Sequence, residues 1–499
     1  MRHAAVPRLP GAYCARVQRA VVDGVPVFWQ QGPEPLTAGL VFDVGRRDEG
    51  FAEGGVTHLV EHLVMGSLPK SHLDRNACVS PSSTEFFATG RPEQVADFLR
   101  QVCEALSDLP TDRLAHEARV LLAEEERRGG DLVGHLLMVR YGARGLGLQG
   151  MVEPALGDIT AEQVRAHAER WFVREGAALW LTGPPPAGLT LPLRSGARPV
   201  RPEQPRLPLP LPAQVRYPGP DPALSFEVDG EDDVVLTGLR VLLDRLTERL
   251  RHEGGHSYDV DFDTQAVGGT LTHVTFVADA PPKEVDAVLQ GLWSELHRLA
   301  DEGPTEEELD HDLEGMRERF ADPRSVEGLV GAAAGRHFYD LPVLGGEERL
   351  AARASLRPAD VVEVLRPALS TVLVLVPDSA PEVLADVPEL PDGTPDRLTG
   401  REWKRRFRSD MPRGARLVTS AEGLTLLAHG RQLTVRYDDC VAVGVGEVGH
   451  AHLEVVGGHA LTVPVCEEDW KDGALLVEEV RAALAHVPRY PVRPEDPSR

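Results

Sequence analysis

The sequence predicts an α+β protein: two homologous α+β domains in tandem, then a small C-terminal β-rich module with one helix. Three observations lead there. First, a helix–helix punctuation pattern occurs twice. Pro92-x-x-Val95-x-x-x-Leu99 returns as Pro282-x-x-Val285-x-x-x-Leu289, Pro110-Thr111 as Pro304-Thr305, and Leu114-x-His116 as Leu309-x-His311. Self-similarity of this kind marks a repeated unit. Second, a proline-dense stretch over 184–220 separates the copies and reads as an extended linker. Third, helical spacing gives way after residue 385 to short alternating runs.

The first domain, residues 1–183, reads as strands over 20–29 and 40–44, a helix over 55–65, a strand over 79–89, and helices over 92–106 and 111–128. Thr111 stands where an N-cap belongs, and Gly129-Gly130 stops the helix. Thr160-x-x-Gln163 is a capping box, and 177–181 closes the domain as a strand. The second domain, 221–385, repeats the layout, with Thr305-x-x-Glu308 as its own capping box. The module over 386–499 carries expected strands at 416–419, 423–428, 432–437, 440–445, 452–456 and 460–466, then a helix over 471–486. Its pattern resembles pleckstrin-homology-like domains, and the plainer reading is an appended interaction module.

Composition narrows the function. The 499 residues suggest about three domains. With 42% hydrophobic and 26% charged residues, the chain is globular rather than disordered. No apolar run reaches the length of a membrane span, and the N-terminus lacks the apolar stretch of a signal peptide, so a cytoplasmic location is expected. Five scattered cysteines, Cys14, Cys78, Cys103, Cys440 and Cys466, fit free thiols in a reducing compartment. A formal net charge of −25 argues against nucleic acid as partner. It would attract cationic peptides, although acidity for solubility alone carries more weight.

The sharpest local signal is His58-Leu59-Val60-Glu61-His62. On a helix, residues four apart share a face, so His58 and His62 can aim two imidazoles at one ion. That is the spacing zinc needs for two nitrogen ligands. Glu61 can reach a water beside the ion without being a ligand, the inverted form of HExxH. The bland alternative is a solvated face with two unrelated histidines. A third ligand is required, and the cluster Glu124-Glu125-Glu126 offers candidates. Glu117 lies two turns earlier on the same face. An acidic run at a helix end is also commonly just solvated. His450 and His452 share a strand face in the tail, without a third ligand nearby.

These residues resemble the pitrilysin–insulinase family of zinc metallopeptidases, which includes the mitochondrial processing peptidases. Asp23-Gly24-Val25-Pro26-Val27 looks like its first strand and Gly45-Arg46-Arg47-Asp48-Glu49 like the turn before its zinc helix. The stretch from Gly55 to His62 looks like that helix. Asn76-Ala77 with Thr84-x-Phe86-Phe87 looks like the edge strand that binds peptide, and Glu117-x-x-Val120-Leu121-x-x-Glu124 like the helix bearing the distal ligand. The resemblance implies that Glu124 binds zinc with His58 and His62, that Glu117 supports them, and that Glu61 is the catalytic base. It implies that Arg251 and Tyr258, in Leu250-Arg251-x-x-x-Gly255-x-x-Tyr258, hold substrate from the second domain. It covers residues 17–377 and implies two homologous metallopeptidase-family domains per chain, with a dimer, of like chains or with a family relative, completing a four-domain chamber.

Aligning Leu114 with Leu309 sets Arg319 opposite Glu124, and the second half has no HxxEH. One zinc site per chain is therefore expected, with a metal-free partner domain. Departures from the family pattern are also present. His62 and Asn76 are 14 residues apart, which is about a dozen residues short. Ser80-Pro81-Ser82 falls where the substrate strand is expected, and proline lacks a ladder donor. Val79 replaces a usual Thr, and His256 a usual apolar residue. The function expected is zinc-dependent hydrolysis of peptides or small unfolded polypeptides. The rival readings are an inactive relative serving as a structural or partner subunit, and a docking platform acting through the tail.

Overall fold

The computed structural model describes residues 16–125, 131–380, 384–446 and 451–492. Cys14, Glu126, Gly129-Gly130 and His450 lie outside the described residues.

The first sheet has the order β1-β2-β6-β3-β5-β4, from β1 (Gln18–Val22), β2 (Val25–Trp29), β3 (Leu36–Phe42), β4 (Asp74–Val79), β5 (Thr84–Gly90) and β6 (Ala177–Leu181). The second has the order β7-β11-β8-β10-β9, from β7 (Ala213–Tyr217), β8 (Ala223–Asp229), β9 (Val260–Gly268), β10 (Leu271–Ala278) and β11 (Leu373–Pro377). Setting β1 aside, the two orders superpose strand for strand. β2 runs parallel to β6 as β7 does to β11. The remaining neighbours are antiparallel in both sheets. The punctuation repeat thus corresponds to a repeated topology.

Helices follow the same logic. In the first unit α1 (Val56–Ser67) joins β3 to β4, and α2 (Pro92–Ser107), α3 (Leu114–Glu125), α4 (Leu132–Tyr141) and α5 (Ala161–Trp171) join β5 to β6. In the second, α6 (Asp232–Leu246) joins β8 to β9. α7 (Val285–Glu302), α8 (Glu306–Ala321), α9 (Ser325–Phe338), α10 (Gly346–Ala354) and α11 (Pro358–Ala368) then lead to β11. Both capping boxes form, at Thr160 with Gln163 and at Thr305 with Glu308. α1, α2, α3 and α5 bury Leu59, Leu63, Leu99, Leu121 and Val164 against one face of the first sheet. α6, α7 and α11 do the same for the second.

The two units trade helices. α4 leaves its own unit and packs Leu136 against Ala213, Ala223, Leu373 and Leu375 of the second sheet. α9 packs Val326, Val330, Ala333 and Ala334 against Phe28, Val41, Ala178 and Trp180 of the first. Each sheet is therefore covered on one face by its own helices and on the other by a helix of its twin. Buried Arg140 and Tyr141 lock the exchange. Arg140 Nη2 donates to Thr371 O at 2.8 Å, and Tyr141 Oη donates to Glu227 Oε1 at 2.6 Å.

Several sequence expectations are corrected. The strand expected over 20–29 is a hairpin, because Asp23 and Gly24 both take positive φ (49° and 87°) and turn the chain. The strand expected over 79–89 is likewise a hairpin, β4–β5. Ser80-Pro81-Ser82 forms its turn, so Pro81 removes no ladder donor. α3 begins at Leu114 and not at Thr111, whose carbonyl accepts from Leu114 N in a preceding turn. The proline-rich stretch runs without helix or strand over 189–210, and part of it packs on the first unit. Leu189, Leu191 and Leu193 enter the first core, and β7 starts within the stretch.

The C-terminal module has two four-stranded sheets. One is β12 (Arg401–Lys404), β13 (Arg416–Thr419), β14 (Gly423–Ala428) and β15 (Arg431–Arg436). The other has the order β18-β17-β16-β19, from β16 (Cys440–Gly446), β17 (His452–Gly457), β18 (Thr462–Cys466) and β19 (Arg489–Pro491). α12 (Gly473–Ala483) closes a core around Trp403, Leu424, Val455 and Trp470. The module docks on the first unit through Tyr490 against Phe51 and through Arg144 with Asp439 at 2.6 Å. His452 lies 3.7 Å from Glu454.

Candidate metal centre

The helix that carries the histidines is fixed at its start. Gly55, at φ 89°, is its N-cap, a conformation that glycine takes without strain. The orphan amides of the first turn meet Glu49, whose Oε2 accepts from Gly55 N and Oε1 from Thr57 N, both at 2.8 Å. Burial pushes the Glu49 carboxyl up to about 7, and Glu153 adds to the rise. Thr57 Oγ1 also meets His167 Nε2 at 3.0 Å. Burial holds His167 down at about 3, which keeps it neutral. The turn leading into the helix is tied down as well. Arg46 pairs with Glu153 at 2.9 Å, and Arg201 pairs with Asp48 at 2.7 Å. Arg47 reaches the carbonyls of Ala266 and Val267 on β9 at 2.9 and 3.0 Å.

On this anchored helix, His58 and His62 turn to one side, with ring centroids 4.8 Å apart and nearly perpendicular. Nε2 of His58 lies 3.5 Å from Glu61 Oε2, and Nε2 of His62 lies 3.7 Å from the same oxygen. The ligand atoms of His58, Glu61 and His62 all lie within 4.8 Å of one another, a group compact enough to hold a metal ion. Glu61 is only 6% exposed. Its carboxyl is pushed up to about 7, by burial first, then by Glu124 and Glu117.

α3 packs against α1 and brings the carboxylates. Glu117 Oε2 lies 3.4 Å from His62 Nδ1, and its Oε1 accepts from Arg113 Nε at 2.9 Å. Glu124 stands near enough for its charge to act on Glu61, though it is outside the most compact group. Glu125 turns elsewhere, accepting from Glu153 N at 3.2 Å. Two carboxylates, Glu61 and Glu117, therefore meet the two imidazoles, with Glu124 acting on Glu61 by its charge and Arg113 paired to Glu117. The donor set fits a divalent ion with nitrogen and oxygen preference, since such an ion offsets the clustered negative charge.

The expected substrate residues are placed as follows. α1 packs on β4, the outer strand of its sheet, where Asn76 faces Phe87 and Ala77 faces Phe86. Ala77 packs toward the helical core and so offers only its backbone to an added strand. Asn76 shares the other face with Cys78, whose thiol is raised by burial, Glu85 and Glu61. Arg251 and Tyr258 meet each other, with the guanidinium 4.9 Å from the ring centroid, and Tyr258 is 73% exposed. Arg251 lies in a π-helical turn, Thr247–Glu253, that extends α6. His256 is held by Glu284 at 2.7 Å. A cavity of about 490 Å³ between the units is lined by Arg47, Arg198, Arg201 and Tyr339, and the His58 group does not border it.

The second unit fills the matching ground differently. α6 stands where α1 stands, and Asp312 on α8 falls opposite Glu117. Asp312 accepts from Thr237 Oγ1 at 3.0 Å and pairs with Arg353 at 2.6 Å. Arg353 and Arg349 also pair with Asp233, at 3.4 and 3.1 Å. Arg240 is held down at about 10 by burial, Arg353 and Arg319. An arginine–aspartate network thus occupies the place of the imidazole–carboxylate group.

Sequence reading missed Glu49, His167 and Arg113. The first could have been found from its place in the turn, seven residues before Val56. His167 carries no local signal, since its partner Thr57 is on another element, whereas Arg113 stands four residues before Glu117 and is legible from that spacing.

A family model described as Peptidase M16 inactive domain matches residues 155–315, a stretch that does not include His58, Glu61, His62 or Glu124. No curated protein matches the chain. Among solved structures, the chain is similar to a peptidase M16 inactive domain from Pseudomonas fluorescens. That match has 17% identity and a TM-score of 0.62, over 76% of this chain and 100% of that one. A protease from Helicobacter pylori matches at 15% identity and TM-score 0.59, over 73% and 99%. Pitrilysin matches at 15% and 0.55, over 76% of this chain and 45% of its own length. At these identities the likeness concerns the fold.

Proposed function

We propose, from the premise that this chain is a relative of the peptidase M16 (pitrilysin/insulinase) family, that it is a zinc-dependent endopeptidase acting on peptides or small unfolded polypeptides. The observation that carries this reading is the convergence of both Nε2 atoms of the anchored helix on the Glu61 carboxylate. His58, His62 and Glu124 would hold the ion, one per chain. Zinc bound there would supply Lewis acidity toward water and a peptide carbonyl.

The chain's own groups do the rest. Glu61, buried and raised toward neutrality, takes the proton of the attacking water and returns it to the leaving amine. Glu117 fixes the His62 ring by accepting from Nδ1, which leaves Nε2 as the ligand atom. β4 offers a free edge to which a peptide can add as a further strand, through the backbone of Asn76 and Ala77. Arg251 and Tyr258 are exposed donors for the substrate from the second unit. A cytoplasmic setting and a dimer, of like chains or with a relative, belong to the same reading. Among the described residues, no helix is long and apolar enough to cross a membrane.

A second reading is a non-catalytic partner subunit. It draws on the word inactive in the matching family model, and on the short loop, residues 68–73, that joins α1 to β4. Metal analysis of the purified chain separates the two. The peptidase reading expects about one zinc per chain, retained through gel filtration and lost in His58→Ala. Protein without zinc after loading favours the partner-subunit reading.

A further inference from the structure

The C-terminal module carries a feature independent of the metal centre. β12 ends at Lys404, and the chain then runs Arg405-Arg406-Phe407-Arg408-Ser409-Asp410-Met411-Pro412-Arg413 toward β13. This loop is tightly built. Arg405 turns inward, and its guanidinium donates to the carbonyls of Met411 (2.5 Å), Arg406 (2.8 Å), Phe407 (3.3 Å) and Ser409 (2.6 Å). Asp469 fastens the base. It accepts from Ser409 Oγ at 2.5 Å and Asp410 N at 3.1 Å, and its carbonyl accepts from Arg406 N at 2.7 Å.

The result is a compact knuckle with Phe407 outside it, 94% exposed. A lone exposed apolar side chain is ordinary; the charge around this one is not. Arg406, Arg408 and Arg413 are exposed on the same loop, and Lys404 and Lys471 are exposed at its base, where Lys471 N donates to Lys404 O. Among the described residues these five cations make no ion pair, and Asp410 is the one acidic residue within 405–413. In a chain of formal net charge −25, the stretch 404–413 itself carries five basic residues against one acidic residue, while Glu467, Glu468, Asp469 and Asp472 lie in the segment at its base beside Lys471.

We propose that the knuckle docks the protein on an anionic lipid surface, with Phe407 entering the headgroup region and Arg406 and Arg408 beside it on the phosphates. Charge complementarity and shape both favour this occupant. A protein partner would have to supply a dedicated pocket for one projecting ring together with an acidic rim. A bilayer interface accepts an aromatic ring at any point, and its surface potential draws juxtaposed Lys and Arg. The attraction is electrostatic in origin, so salt should weaken it.

The test is flotation of the full chain with vesicles of phosphatidylcholine alone and of phosphatidylcholine mixed with phosphatidylglycerol. The expected result is binding to the anionic vesicles only, weakened by salt. Phe407→Ser should reduce it, and Arg406→Glu with Arg408→Glu should reduce it by about tenfold or more. These side chains project from the loop, so thermal melting should match the parent chain and exclude misfolding as the cause. Three outcomes overturn the proposal: no binding to anionic vesicles, equal binding to both vesicle types, or binding that the loop variants leave unchanged. Loop-dependent capture of an acidic protein by a chain that does not float would assign the knuckle to a protein partner instead.

Discussion

Glu117 and His62 face each other across two helices, with Glu117 Oε2 3.4 Å from His62 Nδ1 and Arg113 holding the carboxylate's other oxygen. The pair links a residue on α3 to the ring that α1 directs at Glu61. It makes the imidazole's orientation a property of helix packing rather than of the five-residue motif alone.

Replacing Glu117 with Gln should therefore lower zinc affinity by about 10–100-fold while leaving the fold intact. Competition with a chelator of known affinity measures it. Unchanged affinity would mean that the carboxylate serves only Arg113.

The ligand choice within the acidic run is testable by contrast. Glu125 is engaged with Glu153 N, whereas the charge of Glu124 acts on Glu61. Glu124→Gln should strip most of the metal, and Glu125→Gln should leave it largely in place. Zinc content after dialysis reads both, and equal losses would remove Glu124 from the ligand set.

Glu49 gives a pH signature. Its folded-state pKa is raised from an ordinary 4.5 to about 7 by burial. A raised carboxyl stabilises fully below the unfolded value, and that contribution is lost as pH climbs through the folded one. Between pH 4.5 and 7 the loss should amount to roughly 2–4 kcal/mol. Glu49→Gln should flatten this slope, as followed by denaturant unfolding of the metal-free chain at several pH values. A slope equal to that of the parent would place the titration elsewhere.

The helix exchange should hold the two units as one body. Tyr141→Phe deletes the bond to Glu227 and should destabilise the chain by about 1–3 kcal/mol. Urea unfolding measures this, and a change within error would show the exchange to be held by apolar packing alone.

The sequence made legible whatever rests on local pattern. His58, Glu61 and His62 could be read because helical spacing alone sets them on one side, and Thr160 and Thr305 because a capping box is closed within four residues. The repeat was visible in punctuation, and the two sheet orders repeat with it. What escaped depends on partners distant in the chain. The exchange of α4 and α9 leaves no local mark, since each is covered by a sheet from the other unit. The turn at Ser80-Pro81-Ser82 is hidden in the sequence because the runs on both sides of it read as strand. Glu49 shows in the sequence only as part of a turn, while in the structure it caps the helix that follows.

The most direct test of the central claim compares peptide hydrolysis by the zinc-loaded parent chain and by Glu61→Gln, with zinc content measured on the same samples. The account predicts equal zinc in both, cleavage by the parent, and loss of cleavage in the variant by about 100-fold or more. Cleavage at the parental rate by Glu61→Gln, with zinc still bound, would contradict it.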